Sequence, residues 1–222
     1  MKRKKVITGS AVLLAVLGLA GAVMAYFGAT DDTENTVEIA RDKIAVSENF
    51  PTPSDLRAQS KNFYTKEVGV ENTGNVDCYV RVYVDFPDSG TASRSYFSID
   101  GTDYYSAVRD ISMTGDNPTV SGDRVIHTQS FANRLRELDS DWVFVPDNDA
   151  REKLRSYFYY KKPVKPGETT PELFKSVMID TGEAPETVDL TVYAESVDSM
   201  KITNGEKTAY DGYEAAWNSF LG

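Results

Sequence analysis

VDCYVRVYVDF, running from Val76 to Phe86, is the stretch that decides the fold. Successive side chains of a strand point to opposite faces, so Cys78, Val80, Val82 and Val84 share one side while Tyr79, Arg81, Tyr83 and Asp85 share the other. The first side is a core face. The second is read as amphipathic or as pairing across a sandwich.

Working outward, Lys66 to Val70 begins an earlier strand, and Glu71-Asn72-Thr73-Gly74-Asn75 makes the turn between the two. Further strands are read at Trp142-Val143-Phe144-Val145, Tyr157-Phe158-Tyr159-Tyr160, Ser176-Val177-Met178-Ile179 and Val188 to Ala194. Pro87 to Asp123 is rich in Ser, Thr, Gly and Asp and is expected to form long loops carrying short strands. Ser130 to Leu138 spaces Phe131, Leu135 and Leu138 as a helix does. Tyr213, Trp217 and Leu221 recur at helical spacing and predict a terminal helix with one aromatic face. Strands outnumber helices, with Gly and Pro turns between them. The expected fold is all-β, an antiparallel β-sandwich with short helices in the connections and at the C-terminus.

The N-terminus is different in kind. Lys2, Arg3, Lys4 and Lys5 precede an uncharged apolar run from Val6 to Ala25 that ends Val23-Met24-Ala25, the pattern of an export signal. Asp31, Asp32 and Glu34 follow in place of a basic stop-transfer cluster, so cleavage is expected between Ala25 and Tyr26. The run is also long enough to span a bilayer, which keeps an uncleaved anchor as the alternative. Losing four of the 24 basic residues would leave 20 against 34 acidic ones and move the formal charge from −10 to −14. Such a surface repels nucleic acid, and no nucleic-acid partner is expected. A lone Cys78 cannot close an intrachain disulfide and is read as a small buried hydrophobe.

Tyr26 to Pro53 is polar and acidic, with Thr36-Val37-Glu38-Ile39 and Lys43-Ile44-Ala45-Val46 alternating as short strands do. It reads as an extended arm, with Val37, Ile39, Ile44 and Val46 as its apolar anchors. The chain is thus divided into a signal (1–25), an arm (26–53) and one domain (54–222).

Chemistry-bearing patterns are sparse. A zinc protease of the usual kind needs two histidines at helical spacing with a glutamate base, whereas this chain has one histidine, His127, and no His-Glu-x-x-His. There is no Gly-x-Ser-x-Gly, and Cys78 sits on the inward face. Asp139-Ser140-Asp141 reads as a solvated turn. Asp100-Gly101-Thr102-Asp103 and Asp147-Asn148-Asp149 have the composition of calcium loops without the full spacing, and read as turns. Arg81, flanked by valines, is expected to pair with an acid across the sheet or to snorkel outward. The rings of Tyr157-Phe158-Tyr159-Tyr160 either split between core and solvent or grip a polysaccharide or protein partner. No catalytic residue, metal ligand or cofactor is expected.

Taken in order, several short pieces resemble the TasA and camelysin group of exported Gram-positive proteins, which a SipW-type signal peptidase processes. Ala25-Tyr26-Phe27 looks like the group's cleavage signature, and Val70-Glu71-Asn72-Thr73-Gly74-Asn75 runs into Tyr79-Val80-Arg81-Val82 as in that group. Tyr157 to Lys161, Pro166-Gly167-Glu168-Thr169-Thr170, Leu173-Phe174, Val192-Tyr193-Ala194-Glu195 and Ala216-Trp217 are similar to its later strands and tail. The resemblance implies a jelly-roll-like β-sandwich, secreted or at the cell surface, that self-associates into fibres of a biofilm matrix. It also implies assembly by donation of the N-terminal arm as a strand to the next subunit. A monomeric adhesin contacting matrix proteins or polysaccharide is the alternative, and a camelysin-like protease a lesser one.

Overall fold

The computed structural model describes residues 43–49, 61–107, 115–145, 157–180 and 190–221. Ala25, Tyr26, Val37, Ile39 and the Asp147-Asn148-Asp149 turn lie outside these described residues. Thirteen strands and three helices are described. In chain order they are β1 (Ile44–Asn49), β2 (Lys61–Asn72), β3 (Cys78–Asp85), α1 (Ser89–Ser93), β4 (Ser95–Ser98), β5 (Asp103–Ser106), β6 (Thr119–Ser121) and β7 (Arg124–Ser130). Then follow α2 (Phe131–Glu137), β8 (Trp142–Val145), β9 (Tyr157–Tyr160), β10 (Phe174–Asp180), β11 (Thr191–Asp198), β12 (Met200–Thr203), β13 (Glu206–Ala209) and α3 (Gly212–Leu221).

One sheet runs β1-β2-β10-β4-β5-β7-β6 and the other β11-β3-β9-β8, while β12 and β13 form a separate ribbon. Among the described strands pairing is antiparallel everywhere except between β5 and β7. The two sheets face each other across one core, so the fold is an all-β sandwich. Val80, Val82 and Val84 of β3 enter that core, opposite Val68 and Val70 of β2 and Phe174 and Val177 of β10. At its centre Phe97 stacks on Phe174 with centroids 4.4 Å apart and planes 8° apart, and Phe131 meets Phe97 edge-on at 5.5 Å. Burying such side chains stabilises the fold by about 1.5–3 kcal/mol each.

Local chemistry holds the connections. The turn between β2 and β3 is organised by Asn72, fully buried, whose Nδ2 donates to the carbonyls of Val76 and Val164, both at 2.7 Å. Its Oδ1 accepts from Gly74 N at 2.9 Å. Cys78 and Val164 exchange backbone bonds at 3.1 and 2.8 Å, and Thr170 N donates to Val70 O at 2.9 Å. The segment around Val164 to Thr170 therefore ties the end of one sheet to the other. Ser130 caps α2 by accepting from Asn133 N at 3.2 Å, and Phe131, Ala132 and Leu135 point that helix into the core.

The middle of the chain is more regular than expected. β4 and β5, read from sequence as pieces within loops, are interior strands of the seven-stranded sheet. Phe97, Tyr104 and Tyr105 supply enough apolar surface to place them there.

Candidate functional site

β1 carries the two described anchors of the arm. Its six residues pair antiparallel with β2 of the same chain, with Ile44 opposite Asn72 and Val46 opposite Val70. Ile44 is buried in the main core, and Val46 packs against that core. Ala45 is half-buried and Ser47 exposed, so the strand alternates as its sequence does. Thr73 N donates to Lys43 O at 2.8 Å, closing the outer end of the ladder. Among the described strands β1 is nevertheless an edge, bonded to β2 on one side alone and lying beside β11 of the other sheet. It fills a slot with backbone bonds that any strand supplies and with side-chain pockets for Ile44 and Val46 that set register.

A second cluster covers the outer face of the four-stranded sheet. Pairing places Glu195, Arg81 and Tyr159 side by side on β11, β3 and β9. Arg81 Nε donates to Glu195 Oε2 at 2.6 Å, its Nη2 forms a shorter contact with the same oxygen, and its Nη1 donates to the Tyr159 hydroxyl at 3.0 Å. The guanidinium lies 3.9 Å from the Tyr157 ring centre and 4.3 Å from that of Trp217 on α3. Burial works against the charge, but Glu195 and the Tyr159 hydroxyl outweigh it and raise the Arg81 pKa above its ordinary value. Of the two sequence readings of Arg81, the cross-strand ion pair is the one found, and the side chain is covered instead of snorkelling. Both faces of β3 are thus buried. The second face is closed by α3, whose Ala216 and Trp217 pack with Tyr79 and Tyr159.

His127 forms a third cluster, at the far side of the seven-stranded sheet. Its ring stacks on Tyr105 with centroids 4.4 Å apart and planes 6° apart. Nδ1 donates to Asp116 Oδ2 at 2.5 Å and Nε2 donates to Asp103 Oδ1 at 3.2 Å. A neutral imidazole has one N–H, so donating to both carboxylates requires the protonated ring. Asp116 also accepts from Thr128 N at 3.0 Å, which fastens the segment leading into β6 onto β7. Burial lowers the His127 pKa, but its hydrogen bonds to Asp116 and Asp103 and the charges of those carboxylates together prevail and raise it. Burial raises the Asp116 pKa, but its bond to His127, the His127 charge and the bonds from Gln129 N and Thr128 N together more than reverse that, leaving it lowered.

A group whose folded pKa is raised stabilises the fold fully below its unfolded pKa, and that contribution is lost as pH rises through the folded value. The clamp is therefore intact below about pH 6.5 and weakens on the alkaline side. Asp116, shifted down, sets the acid limit, because its contribution is lost as pH falls through its lowered pKa. Urea unfolding is expected to show a loss of about 1.5 kcal/mol from pH 6 to pH 9, the lower end for one hydrogen bond between charged groups, and His127→Gln is expected to flatten that slope.

The other sequence candidates are turns. Asp139 has φ 48°, and Asp139 and Asp141 meet Lys161 and Lys162 at 3.4 and 2.7 Å on the surface. Asp100 Oδ1 accepts from Thr102 N and Asp103 N at 2.8 and 2.9 Å, which spends its lone pairs on the turn itself. Among the described residues no three His, Cys, Asp or Glu side chains are grouped to hold a metal ion. Among the same residues no helix is long and apolar enough to cross a membrane.

Sequence reasoning missed Glu195, Asp103 and Asp116 as partners. For Glu195 a signal existed, since a mid-strand arginine with tyrosines two residues either side requires a counter-charge on a neighbouring strand. Nothing in the spacing of Asp103, Asp116 and His127 links them, because the parallel β5–β7 pairing brings Asp103 to His127 and the segment leading into β6 brings Asp116. Compared with protein-family models, with curated proteins and with solved structures, the chain gives no significant match.

Proposed function

We propose that the protein is a secreted structural subunit of extracellular fibres, with a jelly-roll-like sandwich whose N-terminal strand is exchanged between neighbouring copies. The observation that carries this reading is β1 itself. It is the first described strand, it sits at a sheet edge, and it plugs the core through Ile44. A strand bound to its own chain and the same strand donated by a neighbour make the same backbone bonds, so exchange costs little enthalpy. The resemblance to the TasA and camelysin group and the export-signal pattern of residues 1–25 support the same reading. The clusters around Arg81 and His127 serve as structural fastenings in it, and no catalytic role is assigned to either.

The test compares protein starting at Tyr26 with protein starting at Thr52, by size exclusion and electron microscopy across concentration and pH. Fibres from the longer form alone are the expected result. Equal behaviour of the two forms overturns strand exchange and favours a monomeric adhesin.

A further inference from the structure

The β12–β13 ribbon turns at Asn204-Gly205, the one place in the chain where glycine follows asparagine. The two residues have φ of 54° and 83°, the positive pair of a tight hairpin turn, which is what selects these residue types. Four residue pairs join the strands, from Met200↔Ala209 at the base to Thr203↔Glu206 beside the turn. The ladder stops at that last pair, so it engages neither the Asn204 side-chain amide nor Gly205 N. Both residues are exposed, and a Cβ added at Gly205 would meet nothing within 4 Å. The space around this amide is open.

Such a dipeptide carries chemistry of its own. When Gly205 N bonds to Asn204 Cγ, the Cγ–Nδ2 bond breaks, and ammonia leaves with the proton that Gly205 N gives up. The succinimide ring so formed is opened by water, the only co-reactant. Opening at Cγ gives aspartate; opening at the Asn204 backbone carbonyl gives isoaspartate, whose main chain runs through Cβ and Cγ and is one carbon longer. Ring closure needs rotation about the Asn204 Cα–C bond, which a closed turn resists, so the reaction runs through the open ribbon. That opening is easy here. All eight strand residues are exposed, Ile202 at 73%, and a lone two-stranded ribbon with both faces exposed is marginal in water. The base is fixed to the body, with Ser199 N donating to Asp77 O and Tyr210 N to Ser199 O, both at 3.0 Å, which confines the opening to the ribbon. Asn218 is also exposed and precedes the small Ser219, but it lies in α3, where helical bonding holds Ser219 N.

We propose that Asn204 is a site of spontaneous deamidation and that the isoaspartate formed there unties the ribbon. The added backbone carbon breaks the two-residue loop that the paired positive φ values close. The charge changes as well. Lys201 and Lys207 stand against Glu206 alone, and the new carboxylate cancels their excess. This change with age is independent of the fibre reading and applies to the chain in any state of assembly.

The test incubates the chain starting at Tyr26 in mildly alkaline buffer beside the free peptide Ile202–Lys207, the tryptic fragment that carries the site. Mass spectrometry follows the amide-to-carboxylate change in both, and isoaspartyl methyltransferase scores isoaspartate. The expected result is conversion at Asn204 within about tenfold of the peptide's rate, the slowing that a marginal ribbon imposes, with isoaspartate as the main product and Asn218 unchanged. Asn204→Gly keeps a pair suited to the turn and should show no mass change. Hydrogen exchange at the amides of β12 and β13 should quicken in the aged protein and stay unchanged in Asn204→Gly protein aged in parallel. Conversion of the folded chain more than about tenfold slower than the peptide's overturns the proposal, as does a modified ribbon that exchanges no faster than the fresh one.

Discussion

Glu195→Ala lowers the stability of the folded protein by about 3 kcal/mol, while Arg81→Met costs less than half as much. The asymmetry comes from what each change leaves behind. Removing Glu195 strands a guanidinium that is buried between Tyr157 and Trp217 with one neutral hydroxyl for company. A buried charge without its counter-ion is costly, whereas an apolar side chain of similar reach keeps the packing and asks for no partner. Removing Arg81 leaves Glu195, whose side chain is 42% exposed and is rehydrated. Urea denaturation of both variants checks the ordering; equal losses would mean that the stranded guanidinium carries no penalty, and a negligible loss for Glu195→Ala would mean that Arg81 acts through packing alone.

Ile44→Asp is expected to release β1. It removes a side chain 4% exposed and puts a carboxylate where the core has no partner for it. The cost of keeping β1 in place is then about 4 kcal/mol, more than an edge strand of six residues returns. Amides of β2 facing β1 should lose hydrogen-exchange protection, and assembly should fail, because a donated strand carries the same aspartate. Ser47→Asp lies on the exposed side of the same strand and should change stability by no more than about 0.5 kcal/mol. If Ile44→Asp keeps its protection and assembles normally, β1 is a passive leader.

The parts of the fold that were legible follow from period. Val80, Val82 and Val84 are fully buried where alternation put them, and Ser130 to Leu138 and the terminal Tyr-Trp pattern are helices. Period could not show what covers the second face of β3, since Tyr79 and Tyr83 suit a wet face and a buried one equally. Trp217, more than 130 residues downstream, decides it. The parallel β5–β7 pair was hidden for a like reason: it depends on a long connection and not on a local turn. In the arm, Ile44 and Val46 were readable as anchors, but alternation says only that a strand has an inside. Whose sheet supplies that inside is not encoded in the strand.

That question can be put directly to the assembled protein. Ala45 of β1 faces Glu71 of β2 across the ladder. A chain starting at Tyr26 and carrying Ala45→Cys with Glu71→Cys, oxidised after assembly and run without reductant, reports which copy fills the slot. Strand exchange predicts a ladder of covalent multimers. Bridged monomer alone, recovered from intact fibres, would contradict it.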